Sequence, residues 1–331
     1  MTVTDVLGQL GRGVRRMPAV RFAGPIVLAM LGLLPVYAAL SGDSYVLSFA
    51  TRMLIWAIAA VSLNLILGYG GMPSFGHAAF FGIGAYAVGV MSHHGIDSGL
   101  IQWSVAIAVS AVVALVIGAL SLRSRGFYFI MVTLAFAQLL YYLAQSAYTY
   151  GGDDGMTVAR HSRFGGWINL ADRPQFYYLC FALLLAALFM TERIARSRFG
   201  RVLRGAASND RRMQAIGFPT FRYRLTAFVI SGTMAGLCGA LFANDILFVS
   251  PSMMSWIRSG DLFAMVIIGG VGTLYGPVYG AVAILGLEEL LMPWTEYWRL
   301  IFAPILIALV LGSPAGINSL LAGRGAADGR H

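Results

Sequence analysis

Apolar runs recur along almost the whole chain, and they restrict the fold more than any other feature. They fall at 24–40, 45–67, 75–91, 103–122, 127–147, 176–194, 225–243, 262–268, 276–292 and 298–311. About 20 such residues cross the ~30 Å hydrocarbon core as a helix. Composition points the same way. Of 331 residues, 58% are hydrophobic and only 11% are charged, against about 25% charged in soluble domains. So few charges cannot cover a surface in water. The expected fold is therefore all-α: a polytopic membrane helical bundle of about ten spans. The runs at 262–268 and 276–292 are the least regular, because glycines such as Gly269 and Gly270 interrupt them.

All 23 basic residues are arginine, the net charge is +9, and there is no lysine. The arginines sit between apolar runs, which marks topology rather than nucleic-acid binding. Counting them places the N-terminal tail, Arg123, Arg125, the segment 192–224 and the tail with Arg324 and Arg330 in the cytoplasm. Asp43, Asp97, Asp153, Asp154, Asp172, Asp245, Glu288, Glu289 and Glu296 then fall on or near the outer side. Both termini are expected inside, with tails at 1–22 and 316–331 flanking a transmembrane domain at 23–315. The first run lies behind Arg12, Arg15, Arg16 and Arg21 like a signal peptide, but no small-residue cleavage site follows, so a retained span is expected. The loop 148–175, with five glycines, is expected to fold partly over the outer mouth.

Several chemistries drop out. A P-loop needs a lysine to reach the β- and γ-phosphates, so any ATP hydrolysis must occur on another chain. No credible Ser/His/Asp or Cys/His set is present, and no enzymatic activity is expected of this chain. Cys180 and Cys238 lie inside apolar runs and are expected as small buried hydrophobes. No metal and no directly bound cofactor is expected. Gly82-Ile-Gly-Ala-Tyr-Ala87 fits a dinucleotide-binding string but follows no strand, so it is discarded. No span is expected to carry an acid at its centre, which argues against a proton-coupled carrier.

Two glycine clusters break the helical pattern. One is Gly68-Tyr-Gly-Gly-Met-Pro-Ser-Phe-Gly76, followed by a helix opening at Gly76; the other is Gly269-Gly-Val-Gly-Thr-Leu-Tyr-Gly276, followed by a helix opening at Gly276. Broken helices in corresponding places point to a translocation path. Their freed backbone groups must line a cavity or be covered by protein, and a half-helix N-terminus can face an anionic group. Candidate path residues are Asn64, Ser74, His77, Thr133, Gln138, Tyr142, Gly269 and Gly270. Gln138, Tyr142 and Gln145 share one helical face. The competing explanations are close helix packing on glycine and interhelical hydrogen bonding.

The segment 192–224 holds nine arginines against Glu192 and Asp210. It contains a short helix with readable ends. Ser208 or Asn209 can cap its start, Gly217 can take the left-handed stop, and Pro219 follows. Such a helix in water is either a handle for another protein or a basic loop that only fixes topology.

Four collinear motifs resemble one family. Leu63-Asn-Leu-Ile-Leu-Gly-Tyr-Gly-Gly71 with Ser74-Phe-Gly-His-Ala-Ala-Phe-Phe-Gly-Ile-Gly-Ala-Tyr86 is the first. Gly126-Phe-Tyr-Phe-Ile-Met-Val-Thr-Leu-Ala-Phe-Ala-Gln138 is the second. Gly200-Arg-Val-Leu-Arg204 through Ala215-Ile-Gly217, Tyr223 and Ala227-Phe228 is the third, and Val266-Ile-Ile-Gly-Gly-Val-Gly-Thr-Leu-Tyr-Gly-Pro277 is the fourth. Together they resemble the LivM-type permeases of branched-chain amino acid ABC importers. The resemblance covers roughly residues 45–315 and implies a permease in the bacterial inner membrane, carrying leucine, isoleucine and valine. It also implies a homologous second permease, two ATP-binding subunits that use the ATP, and a periplasmic substrate-binding protein. It implies that Ser208, Asn209, Asp210, Arg211, Arg212, Met213 and Gly217 form the ATPase-coupling element. Urea, amides and other small organic acids are alternative cargoes within the family, and a stand-alone secondary transporter is the alternative outside it.

Overall fold

The computed structural model describes residues 18–41, 44–124, 126–165, 168–293, 300 and 303–304. The tenth apolar run lies almost wholly outside them, as do positions 1–17 and 316–331 of the two tails.

Helices dominate, in this order: α1 Pro18–Ser41, α2 Ser44–Asn64, α3 His77–His93, α4 Gly99–Ser121, α5 Phe127–Gln145, α6 Arg173–Arg196, α7 Arg198–Ser208, α8 Asp210–Ala215, α9 Thr220–Ile246, α10 Trp256–Gly269 and α11 Gly276–Leu291. A π turn, Leu65–Tyr69, prolongs α2. Five stretches are long and apolar enough to cross a membrane: Tyr45–Tyr69, Gly99–Ser121, Phe127–Gln145, Arg173–Arg196 and Thr220–Ile246. The helices beside the glycine clusters are shorter. α10 has 14 residues and α11 has 16, or about 21 and 24 Å at 1.5 Å per residue. They form a hairpin that stops short of a full ~30 Å crossing.

The centre of the bundle is α9, packed on both α2 and α3; α4 and α5 flank α3, α6 and α1 flank α2, and the α10–α11 hairpin closes the other side of α2. Small residues make this possible, because lipid offers no hydrophobic drive and helices must gain by close contact. A Cβ added at Gly84 would stand 2.8 Å from Gly236 Cα, and one at Gly280 would stand 2.7 Å from the Met265 carbonyl carbon. The glycines of 82–84 thus serve packing of α3 against its neighbours. Trp56 stacks on Phe81 at 5.2 Å, and Phe80 meets Phe228 edge-on at 5.6 Å.

Three expectations change. The all-α description gains four two-residue strands: β1 Met156–Thr157 pairs with β4 Phe248–Val249, and β2 Arg163–Phe164 with β3 Ile168–Asn169. They fold the glycine-rich loop onto the exit of α9, where the Ser162 N–H donates to Asn244 Oδ1 at 2.8 Å. The eighth run starts six residues before Leu262, at Trp256. An apolar-run criterion stops at polar Arg258-Ser-Gly-Asp261, although nothing there breaks a helix. The basic segment holds two helices, α7 and α8; Ser208 ends the first and Asn209 caps the second.

Candidate functional site

The two glycine breaks clasp each other. Asn64, fully buried at the end of α2, accepts from Gly272 N–H at 2.9 Å and donates through Nδ2 to Thr273 O at 2.8 Å. These partners are 208 and 209 residues away in sequence. Gly272 packs directly on Gly68, within the π turn. Positive φ values of 114° at Gly270 and 76° at Gly272 shape the loop, a conformation that side chains resist. Thr273 Oγ1 donates to Gly270 O at 2.7 Å and accepts from Gly276 N–H at 3.1 Å. The backbone groups of Gly270, Gly272, Thr273 and Gly276 in these bonds are therefore satisfied by protein, as a lipid surrounding requires.

The start of α3 is held by four elements. Ser74 Oγ accepts from Gly76 N–H at 3.2 Å. Thr133 of α5 accepts from Phe75 N–H at 3.3 Å while donating to Ile130 O at 2.9 Å. Ser259 of α10 accepts from Ala78 N–H at 3.1 Å. The Ser231 hydroxyl donates to Ser62 O, so His77 Nε2, 2.8 Å from Ser231 Oγ, is the donor in that pair. His77 Nδ1 then carries the lone pair and is buried without a hydrogen-bond partner among the described residues. The helix end expected to face an anion is thus filled by hydroxyls of the protein itself. Asn64, Ser74, His77, Thr133, Gly269 and Gly270 all belong to this paired break. Gln138 and Tyr142 do not. Tyr142 is 60% exposed and Gln138 is half-buried, on a helix largely uncovered by the rest of the chain.

A cavity of about 260 Å³ lies between α2, α10 and α11, lined among others by Trp56, Arg258, Asp261, Met265, Ile284 and Glu288. Arg258 sits 5.7 Å above the Trp56 ring and 3.8 Å from the Asp261 carboxylate. Arg258, Ser259, Asp261 and Ser231 escaped the sequence reasoning. The readable signal was a cation and an anion at i, i+3 beside an apolar run, which fits one helical face.

At one end of the bundle the segment 192–224 folds into a handle built on α7 and α8. Asn209 Oδ1 accepts from Arg212 N–H at 2.9 Å, capping α8, and Gly217 ends it with φ 98°. Gln214 Nε2 donates to Asp210 Oδ2 at 3.1 Å and to Thr220 Oγ1 at 3.0 Å. Arg224 Nη2 donates to Ala206 O at 2.7 Å and lies 3.7 Å from Asp210. Met213 packs over Gly205, and Ala207 packs against Gly71, beside the π turn. Asn209, Asp210 and Met213 thus shape the handle, whereas Arg211 and Arg212 face outward. Beside them Ile216, Phe218 and Phe221 are 64%, 38% and 43% exposed.

Long apolar helices around two clasped breaks, with a basic handle at one end, define a multi-pass membrane permease. The chain belongs to the branched-chain amino acid transport system / permease component family, whose model matches residues 45–311. It is similar to the high-affinity branched-chain amino acid transport system permease protein LivM of Salmonella typhimurium, at 30% identity over 294 residues. That match covers 81% of this chain and 68% of the relative. LivH of Escherichia coli K12 is 25% identical over 284 residues, covering 79% of this chain and 90% of LivH. An autoinducer 2 import system permease protein, LsrC of Photorhabdus laumondii, is 25% identical over 152 residues, 44% of each chain. No solved structure matches significantly.

Proposed function

We propose that the chain is a permease subunit of an ATP-driven ABC importer that carries leucine, isoleucine and valine across the bacterial inner membrane. The observation that carries the reading is the contact of Ala207 with Gly71, because it joins the handle to the broken helices. A partner that pulls on α8 moves α7, the Gly70–Met72 turn and then the Asn64 clasp. Alternating access follows from that linkage: the clasped pair is one state of the path, and its separation is the other. With no lysine in the chain, the energy comes from two separate ATP-binding subunits seated on Arg211, Arg212 and the apolar tip. A homologous second permease covers the open faces of α4 and α5, only 33% and 17% buried over their span windows. A periplasmic substrate-binding protein meets the end that carries β1–β4. About ten crossings with both termini cytoplasmic complete the arrangement. The partial likeness to LsrC, an autoinducer 2 import permease, favours a second reading, a permease for another small organic solute.

The test is the pair Arg211→Glu and Arg212→Glu in the complex reconstituted with its ATPases and binding protein. Both residues are exposed, so the fold should persist while substrate-stimulated ATP hydrolysis and uptake are lost. Normal hydrolysis and uptake would remove these arginines from the docking surface.

A further inference from the structure

We propose that the corner between the end of α6 and the start of α7 binds the headgroup of an acidic phospholipid, with Arg193, Arg198 and Arg201 around its phosphate. The proposal needs the membrane placement of α6 and is independent of the cargo. α6 shows where the lipid lies. Tyr178, Leu185 and Phe189 are 46%, 40% and 64% exposed, and Ala182 is exposed between them. These positions are spaced by four, three and four residues, so they form one stripe along the helix. An apolar stripe of that kind on a span faces acyl chains. Arg193 stands four residues beyond Phe189 and is also exposed. It continues the stripe about 6 Å further along the axis. Its aliphatic stem lies along the acyl region and its guanidinium reaches headgroup level.

The chain then folds back on itself. Ser197 Oγ accepts from Gly200 N–H at 3.2 Å, and Arg204 Nη2 donates to Ala195 O at 2.8 Å. Gly200 packs on the carbonyls of Ile194 and Ala195, so the first turn of α7 is held against the last turn of α6. α7 buries Gly200, Val202, Leu203 and Ala206 and leaves Arg198 and Arg201 exposed, three residues apart on one face. Charge sorts the arginines further. Arg196 pairs with Glu192 at 2.5 Å, and Arg204 is spent on backbone. The side chains of Arg193, Arg198 and Arg201 form no ion pair among the described residues. Three uncompensated guanidiniums beside a span complement a phosphodiester, whose oxygens accept bidentate N–H pairs. Four arginines within 193–201, directly past a span, match the density that selects acidic lipids. α7 has 11 residues, or about 16 Å, which sets Arg211 and Arg212 of α8 apart from this corner. A partner on the handle tip therefore leaves the lipid its place. The bound headgroup braces one end of α7, whose other end carries Ala207 against Gly71.

The test is photocross-linking of the whole complex in phosphatidylcholine nanodiscs that carry phosphatidylglycerol with a photoreactive headgroup. The adduct is mapped by mass spectrometry and is expected within 186–202. Unlabelled phosphatidylglycerol should compete at least about tenfold better than phosphatidylcholine. Each arginine near an acidic surface gives about fivefold preference, so Arg193→Gln, Arg198→Gln and Arg201→Gln together should weaken capture on the order of a hundredfold. All three side chains are exposed and glutamine matches arginine in helix preference, so the fold should persist. The corresponding triple lysine protein keeps the charge and should retain most of the capture. Four results overturn the proposal: equal competition by phosphatidylcholine, equal competition by inorganic phosphate, unchanged capture in the glutamine protein, and capture by the isolated chain that disappears in the complete complex. The last would give the patch to a partner subunit. ATP-driven leucine uptake is measured in proteoliposomes of the same lipids. Uptake without lipid capture removes the site alone; lipid capture without uptake removes the transport reading and leaves the site.

Discussion

Gly68→Ala drives one methyl group into the clasp between the two broken helices. A Cβ at Gly68 would stand 2.6 Å from Gly272 Cα, and nearer still to Gly272 N and Asn64 Oδ1. Ordinary contact begins at 3.4 Å, so the Gly272 backbone must withdraw by about 0.8 Å or more. Neither neighbour is the loose end of a flexible side chain. One is backbone, and the other is held by two hydrogen bonds of 2.8 and 2.9 Å. Overpacking of this kind typically costs about 1–3 kcal/mol. Breaking the Gly272–Asn64 bond strands a buried N–H for about 1–3 kcal/mol more. The backbone advantage of alanine over glycine returns no more than about 1 kcal/mol. The net expectation is a loss of about 1–5 kcal/mol, seen as a lower melting midpoint of the purified chain in detergent and as impaired ATP-driven uptake. Gly260→Ala is the control, because nothing lies within 4 Å of a Cβ there; it should melt with the wild type or slightly above it. A Gly68→Ala protein that melts and transports like the wild type would refute the clasp as a tight, functional contact.

Three further outcomes follow from the same geometry. Asn209→Ala removes the cap on Arg212 N–H and should destabilise α8 by about 1 kcal/mol, seen as faster hydrogen exchange confined to the handle. Ile216→Asp with Phe218→Asp should abolish co-purification of the ATPase subunits while leaving the melting midpoint unchanged, since both side chains already face solvent. Gly84→Ala should prevent a stable fold, because its Cβ meets Gly236 backbone on α9; a normally folded variant would contradict the backbone-to-backbone packing of α3 on α9.

The long spans could be read from the chain because an apolar run has one solution in lipid, and Tyr45–Tyr69 through Thr220–Ile246 duly form helices. The ends of α8 were equally legible, since Asn209 and Gly217 act within a few residues of themselves. What could not be read was pairing. Nothing in Asn64 announces Gly272 and Thr273, and nothing in His77 announces Ser231 and Ser62, because side-chain partners far apart in sequence meet only through helix packing. The same holds for Gly71 and Ala207. Hydropathy also hid the first turns of α10, where Arg258 and Asp261 are polar enough to look like loop. The two-residue strands are too short to leave any alternation.

The central claim is that this chain conducts a branched-chain amino acid only when ATP hydrolysis on partner subunits moves its handle. The direct measurement is radiolabelled L-leucine uptake into proteoliposomes, comparing this chain alone with the complete complex, each with and without ATP. The account predicts uptake only by the complete complex with ATP, and its loss in the Arg211→Glu, Arg212→Glu protein. Uptake by the chain alone without ATP would contradict it, as would a complete, ATP-hydrolysing complex that leaves leucine outside.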